Sequence, residues 1–268
     1  MNSAIVAMDL TFSYRNTPVL KRISFSIRKG NFFIIIGPNG SGKTTLMKIL
    51  CGVLPAQNGR LEIMDRPCRN YTRKGLAKTI ALVPQMASMD FPFTVTELVL
   101  MGRSPHLGML GLEKEEDIEI ARQAMAFTEV AHLASRKIDE LSGGERQRVS
   151  IARAICQEPK IILLDEPTAS LDLAHQVRVM DLMERLKEEK SVTVVMVSHD
   201  VNLAAMYGDD LLLLKDGRII SLGSPNEVLT YRTLEEVYGC TLLVDKSPVG
   251  EFPRVTSVPG KFIDSSSR

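Results

Sequence analysis

Residues 37–44 read Gly-Pro-Asn-Gly-Ser-Gly-Lys-Thr, and they directly follow the apolar run at residues 32–36. A helical pattern comes next, at residues 45–50, so the stretch predicts a strand, a glycine-rich loop and a helix. In such a loop the backbone N–H groups turn inward around phosphate oxygens, and the helix N-terminus adds partial positive charge. The alternative is a glycine-rich turn that only opens a helix. The predicted contacts are Gly37, Pro38, Asn39, Gly40, Ser41, Gly42, Lys43, Thr44 and Thr45, with Lys43 at the β- and γ-phosphates and Thr44 at a magnesium ion.

Three further apolar runs end on polar residues. Residues 80–83 lead to Gln85, residues 161–164 lead to Asp165 and Glu166, and residues 192–197 lead to His199. Short apolar runs that alternate with helical patterns indicate a mainly parallel α/β sheet, whose ligands bind outside the carboxyl ends of the strands. We therefore expect the loop, the amide, the two carboxylates and the imidazole to meet at one edge of the sheet.

The two adjacent carboxylates suggest different roles. Asp165, at the end of its strand, suits a magnesium ion that keeps several waters, and Glu166 suits the polarisation of an attacking water. His199 suits the positioning of a γ-phosphate and that water. The alternatives are an acidic strand-to-helix turn for the carboxylates and a hydrogen-bonded structural role for His199.

Composition and charge exclude several classes of protein. The chain has 268 residues, with 33 Lys and Arg against 32 Asp and Glu, and this near neutrality argues against nucleic acid as a partner. The longest apolar runs are far shorter than the roughly 20 residues of a membrane-spanning helix. The first residues do not resemble a secretory signal, and the four cysteines have neither disulfide nor zinc spacing. These features predict a cytosolic protein.

The segment Leu141-Ser142-Gly143-Gly144-Glu145 opens a helix that we expect to run to about Cys156. Ser142 and Glu145 have the spacing of a capping box, which is the plain structural interpretation. Capping does not explain the two glycines, each of which costs about 1 kcal/mol of helix stability relative to alanine. Bare N–H groups at this helix start are typical of a second anion site.

Together these motifs resemble the ATP-binding subunits of ATP-binding-cassette (ABC) transporters, over roughly residues 4–240. Residues 37–44 look like the Walker A motif, residues 161–167 like Walker B and residues 141–145 like the family signature. Gln85 matches the Q-loop, residues 170–172 match the D-loop and His199 matches the switch histidine. Tyr14 lies where family members stack an aromatic ring on adenine, and its alternative is a core tyrosine in a strand.

The resemblance implies two cassettes that face each other head to tail and hold two ATP molecules with Mg²⁺. Each nucleotide would touch Walker A of one subunit and Ser142, Gly143 and Gly144 of the other, while Asp172 communicates across the interface. Lys43, Glu166, His199 and Gln85 would be the catalytic residues. Thr44, Asp165 and Gln85 would hold the metal, and Gln85 would also link the metal site to the transporter.

The fold that the resemblance implies is α/β, a P-loop NTPase core with a mainly parallel sheet, an N-terminal antiparallel β subdomain and an inserted α-helical subdomain. We expect the ATPase domain to span residues 1–244, with the helical subdomain at about residues 90–155. Residues 245–268 are rich in Pro, Gly and Ser, and we expect a short irregular C-terminal tail there.

Residues 101–106, Met-Gly-Arg-Ser-Pro-His, are similar to a stretch in the ATPases of iron-siderophore, haem and cobalamin importers. The alternative is a loop in which Arg103 and His106 are merely solvated. Residues 86–93 offer mobile apolar side chains that suit a partner surface. We therefore expect an ATPase at the cytoplasmic face of the inner (plasma) membrane, as a homodimer on separate permease subunits with an indirect link to a substrate-binding protein. We expect it to drive ferric siderophore uptake.

Three other functions remain open at this point. They are haem or cobalamin import, another ABC transporter for amino acid uptake or efflux, and a soluble ABC ATPase in translation or repair.

Overall fold

The computed structural model describes residues 2–85, 93–108 and 111–262. Its strands, in chain order, are β1 Ser3–Tyr14, β2 Thr17–Arg28, β3 Phe32–Ile36, β4 Asn58–Ile63, β5 Arg66–Pro67, β6 Ile80–Val83, β7 Ile161–Asp165, β8 Thr193–Val197, β9 Asp210–Lys215, β10 Arg218–Gly223, β11 Leu242–Lys246 and β12 Pro253–Ser257. Its α-helices are α1 Lys43–Leu50, α2 Arg73–Ala77, α3 Val95–Leu100, α4 Glu115–Phe127, α5 Gly143–Cys156, α6 Leu173–Lys190, α7 Val201–Tyr207, α8 Pro225–Val228 and α9 Tyr231–Tyr238. Most of the predicted partner surface, residues 86–92, lies outside the described residues.

A six-stranded sheet forms the centre of the chain, in the order β10-β9-β3-β8-β7-β6. Its strands pair in parallel except β10, which pairs antiparallel with β9. Every residue of β3, β7 and β8 is buried, as expected for parallel strands that are covered on both faces. The predicted mainly parallel sheet is confirmed.

Side chains alternate between two cores along the central strand β3. Ile34 and Ile36 pack with α6 and α7 on one face, whereas Phe33 and Ile35 pack with α1 and the N-terminal sheet on the other. That second sheet is antiparallel, in the order β2-β1-β4-β5, as predicted. The loop between β3 and α1 therefore projects from a strand that is buried on both faces, and α1 at its other end packs in the second core.

The helices α3, α4 and α5 share a third core, to which Val95, Ala121 and Val149 contribute. This is the helical part that the sequence predicts. Arg103 links two of its helices, because its side chain is only 5% exposed and reaches Asp117 of α4 and the Cys156 carbonyl at the end of α5. The alternative interpretation of residues 101–106, a loop with a solvated Arg103, is wrong.

The predicted irregular C-terminal tail is also wrong for residues up to 257. β11 and β12 form an antiparallel hairpin, with Leu242 and Val255 buried against the α6–α7 core. Asn202 of α7 binds the hairpin by donating to the Val255 carbonyl (3.1 Å) and accepting from its N–H (2.8 Å). Pro248 and Gly250 lie in the turn between the strands, so composition alone misrepresents the segment.

Within the part of the chain that the structure describes, none of the helices combines the length and the apolar character that crossing a bilayer requires.

Candidate ATP site

The glycines of the loop at residues 37–42 have a backbone conformation that other residues rarely adopt. Gly37 and Gly42 have φ values of 146° and 105°, and a Cβ on Gly37 would lie 2.1 Å from the Leu214 carbonyl oxygen. Gly42 is also the N-cap of α1, where no side chain caps the helix. The first N–H groups of α1 therefore face the loop without an internal acceptor, which is the arrangement that binds phosphate.

Lys43 lies under this loop, with only 5% of its surface exposed. Its Nζ donates to the carbonyl oxygens of Gly37 (2.8 Å) and Pro38 (3.0 Å). Burial lowers the pKa of the ammonium, while the nearby Glu166 and Asp165 act in the opposite direction. The ammonium thus lies among the loop carbonyls at the position where a phosphate chain would pass.

Thr44 and Asp165 lie side by side, with Thr44 Oγ1 donating to Asp165 Oδ1 over 3.4 Å. Burial, and secondarily the charge of Glu166, raise the pKa of the Asp165 carboxyl. A hydroxyl and a carboxylate oxygen are hard donors of the kind that Mg²⁺ prefers, so this pair fits the predicted metal. The described residues contain no cluster of three His, Cys, Asp or Glu side chains that could hold a metal without other ligands.

Glu166 lies between the ends of two other strands. Gln85 Nε2 donates to Glu166 Oε2 over 2.9 Å, and His199 Nε2 lies 2.6 Å from Glu166 Oε1. The sequence predicts that these strand ends meet at one edge of the sheet, and the structure brings the three side chains into contact there. Glu166 has a φ of 53°, in the left-handed region that few residues other than glycine adopt.

A cavity of about 400 Å³ opens beside the loop. It is lined by Tyr14, Val19, Asn39, Gly40, Gly42, Lys43, Thr44, Thr45 and Glu166. Tyr14 is 47% exposed at its edge, so the alternative of a core tyrosine is wrong. Sequence reasoning missed Val19, because a valine in an alternating strand carries no sign that it faces a ligand. Ser41 Oγ, within the loop, is buried and has no hydrogen-bond partner among the described residues, which leaves a polar atom for a ligand to satisfy.

The remaining predicted site residues do not line this cavity. Ser142 caps α5 through a reciprocal pair of bonds with Glu145, and Asp172 caps α6 by accepting from the His175 N–H. Gly143 and Gly144 form the first turn of α5. The chain therefore divides its predicted ATP contacts into two groups, one around the loop and one at the starts of α5 and α6.

Residues 20–169 match the family described as ABC transporter. The chain is 40% identical to the hemin import ATP-binding protein HmuV of Vibrio cholerae serotype O1, over 94% of this chain and 97% of that protein. It is 38% identical to the ferric enterobactin transport ATP-binding protein FepC of Escherichia coli K12, over 92% and 91%. Among solved structures, a putative metal-chelate type ABC transporter in an inward-facing conformation superposes with a TM-score of 0.87, at 32% identity, over 98% of this chain and 100% of that one.

Proposed function

This chain belongs to the ABC transporter family, and from that premise we propose that it drives the import of a ferric siderophore through a separate permease. It is an ATPase whose ATP hydrolysis is coupled to transport, as its family membership establishes. Its relatives include import proteins for hemin, ferric enterobactin and cobalamin, so the siderophore is the part of this statement that needs testing.

One observation carries the catalytic proposal, namely the position of Glu166. Its carboxylate closes the cavity at the end of β7, with the Gln85 amide on one oxygen and the His199 ring at the other. A carboxylate that is held beside a phosphate-binding loop is suited to take a proton from an attacking water. The Gln85 and His199 side chains fix the orientation of this carboxylate. A glutamate without such contacts would not be held toward the attacking water.

Other residues at and near the cavity also have roles in this proposal. The N–H groups of residues 39–44 hold the phosphates, Lys43 neutralises their charge and Tyr14 stacks on adenine. Thr44, Asp165 and Gln85 would hold Mg²⁺, which supplies charge neutralisation at the phosphate oxygens. Glu166 removes the proton from water, and His199 aligns that water with the γ-phosphate.

The second group of contacts supports a dimer of cassettes. Ser142, Gly143, Gly144 and Asp172 lie away from the loop cavity of their own chain, so we propose that they serve the ATP bound by a second copy. We further propose one ATPase domain at residues 1–244, with a helical subdomain at about residues 90–155. The assembly would sit at the cytoplasmic face of the membrane on its permease, supplied by a substrate-binding protein.

The ferric siderophore is supported by the similarity to the enterobactin relative and to the metal-chelate transporter. Haem is the second candidate, because the relative from Vibrio cholerae is a hemin import protein of comparable identity. The two cargoes differ in the permease and the binding protein that recognise them, so the ATPase sequence alone does not separate them.

The test is uptake of labelled cargo by source cells that lack this chain. We expect the wild-type chain and the matched variant Glu188→Gln, an exposed carboxylate on α6, to restore uptake of a ferric siderophore. We expect Glu166→Gln to restore none. Restoration of haem or cobalamin uptake alone would replace the siderophore by that cargo. The proposal of an importer would be contradicted if the wild-type chain restores no uptake and only soluble proteins co-purify with the ATP-bound Glu166→Gln variant.

A further inference from the structure

His175, in the first turn of α6, contacts two segments to which the proposed function assigns separate tasks. We call residues 170–172 the D-loop and residues 141–145 the signature segment. The ring Nδ1 of His175 lies 2.8 Å from Asp172 Oδ1, and the same oxygen accepts the His175 backbone N–H over 2.9 Å. One carboxylate oxygen is thus bonded to both the backbone and the side chain of His175.

The direction of the side-chain bond follows from the state of the carboxylate. Hydrogen bonds from the backbone and the side chain of His175 hold the pKa of Asp172 below its ordinary value. The carboxylate is therefore ionised at neutral pH and can only accept. It follows that Nδ1 of His175 carries the proton and donates it.

The opposite edge of the ring fills the side-chain space at Gly144. A Cβ built on Gly144 would lie 2.3 Å from His175 Cδ2 and 2.9 Å from Nε2, closer than real contacts allow. A Cβ on Gly143 would meet no described atom within 4 Å. The two adjacent glycines therefore differ in their surroundings. Position 144 has no room for a side chain because His175 lies against it, whereas position 143 faces open space.

We propose that His175 is a positioning residue that holds the signature segment and the D-loop of one subunit in a fixed register. The two segments begin different helices: α5 contributes Val149 and Ala152 to the core of the helical part, and the buried residues of α6 belong to the central core. A ring bonded to Asp172 and packed on Gly144 joins the two helix starts directly. This inference rests on the proposed function, in which both segments face the second copy.

The first test separates kcat from ATP binding. His175 does not line the loop cavity, so His175→Ala is expected to lower kcat at saturating MgATP by about 10-fold, because misaligned groups slow the step that needs them. The Kd for ATP of the isolated subunit is expected to change by less than about twofold. His175→Asn, whose amide reaches the Nδ1 position, is expected to recover most of kcat. The exposed His132→Ala is the matched control.

The second test uses the contact with Gly144. Gly144→Ala is expected to lower kcat, because the new methyl group collides with the ring. Gly144→Ala combined with His175→Ala is expected to return to the level of His175→Ala alone, because the space is then free. Losses that multiply in the double variant would overturn the inference, as would an unchanged kcat in His175→Ala or no recovery in His175→Asn.

Failure of the proposed function looks different from failure of this inference. The proposed function is contradicted if the wild-type protein does not hydrolyse ATP and the Glu166→Gln variant does not form an ATP-dependent dimer. If both occur and the His175 variants behave as wild type, only the positioning role is contradicted. Thermal melts of each variant identify any loss that comes from unfolding.

Discussion

At the scale of single residues, Glu166 combines an unusual backbone with a crowded side chain. Its φ of 53° turns the chain sharply after the straight strand β7. That turn brings the carboxylate toward Gln85 and His199, whereas Asp165 remains buried in the strand. Strained backbone is tolerated where surrounding contacts hold it, and such positions cluster at active sites.

Glu166→Gln keeps the shape of the side chain and removes its ability to take a proton. We expect hydrolysis to slow by about 10²–10⁴-fold, the usual contribution of a general base. ATP affinity is expected to remain, since the loop at residues 37–44 is intact. Steady-state ATPase assays and equilibrium nucleotide binding measure the two effects, and near-normal turnover would remove Glu166 as the base.

Lys43→Ala removes the buried ammonium from the loop. ATP binding is expected to be abolished, because the phosphate charge then lacks its only buried cation among the residues that line the described cavity. Lys78→Ala, an exposed lysine after α2, serves as the control for general charge effects. Unchanged nucleotide affinity in Lys43→Ala would refute the assignment of this loop to phosphate.

At the scale of elements, an ion cluster centred on the buried Arg103 joins the segment after α3 to α4 and to the end of α5. Arg103 Nε donates to Asp117 Oδ1 (2.9 Å), and Nη1 donates to Glu158 Oε2 (2.6 Å) and to the Cys156 carbonyl (2.8 Å). His106 Nε2 lies 2.9 Å from the Gln157 carbonyl oxygen. The segment at residues 101–106 therefore fixes the end of α5 to the start of α4.

Arg103→Ala leaves the Asp117 carboxylate buried without its partner. We expect the free energy of unfolding to fall by about 3–5 kcal/mol, as for other broken buried pairs. Arg122→Ala on the exposed face of α4, whose ion pair with Glu119 is on the surface, is expected to change it by less than about 1 kcal/mol. Urea denaturation measures both variants, and equal losses would contradict a buried cluster.

The same cluster predicts how stability depends on pH. The Lys114 backbone N–H and the Arg103 guanidinium hold the pKa of Asp117 below its ordinary value of about 4. The unfolded chain therefore binds a proton first, so this stabilisation is present above about pH 4 and is lost as the pH falls further. As the pH falls below 4, the Tm of Asp117→Asn is expected to decrease less steeply than the Tm of the wild type. Parallel curves of Tm against pH would contradict the assignment.

The elements differ in how well the sequence predicts them. Apolar runs and motif spacing predict β3, β6, β7, β8, the loop at residues 37–44 and the helix α5, because those signals are local. The burial of Arg103 depends on Asp117 and Glu158, which are distant along the chain, so no local pattern indicates it. The contact of His175 with Gly144 is missed for the same reason, and the C-terminal hairpin is missed because its turn residues dominate the composition.

At the scale of the whole molecule, the C-terminal hairpin completes one core of the central sheet. β12 packs on α7, and Val255 joins the same core as Phe32 and Ile162 of the central sheet. We therefore expect the hairpin to unfold together with the central sheet in one transition, rather than separately at lower denaturant.

Asn202→Ala tests this cooperativity. The change removes both hydrogen bonds to Val255 and is expected to lower the free energy of unfolding by about 1–3 kcal/mol. Unfolding in urea, monitored by circular dichroism, is expected to show a single transition that is shifted to a lower urea concentration. A main transition that stays in place, with only early loosening of the hairpin, would show that the two parts unfold independently.

The contacts of Glu166 also bear on how the protein idles between transport cycles. A water that is to lose its proton needs a carboxylate oxygen to receive it, and here one oxygen holds an amide while the other lies against a ring. We expect the loaded permease to open one of these contacts, which leaves that oxygen free for the water while the other contact keeps the carboxylate oriented. A cell carrying many resting copies of this ATPase would then lose little nucleotide to futile cycling when no cargo is present.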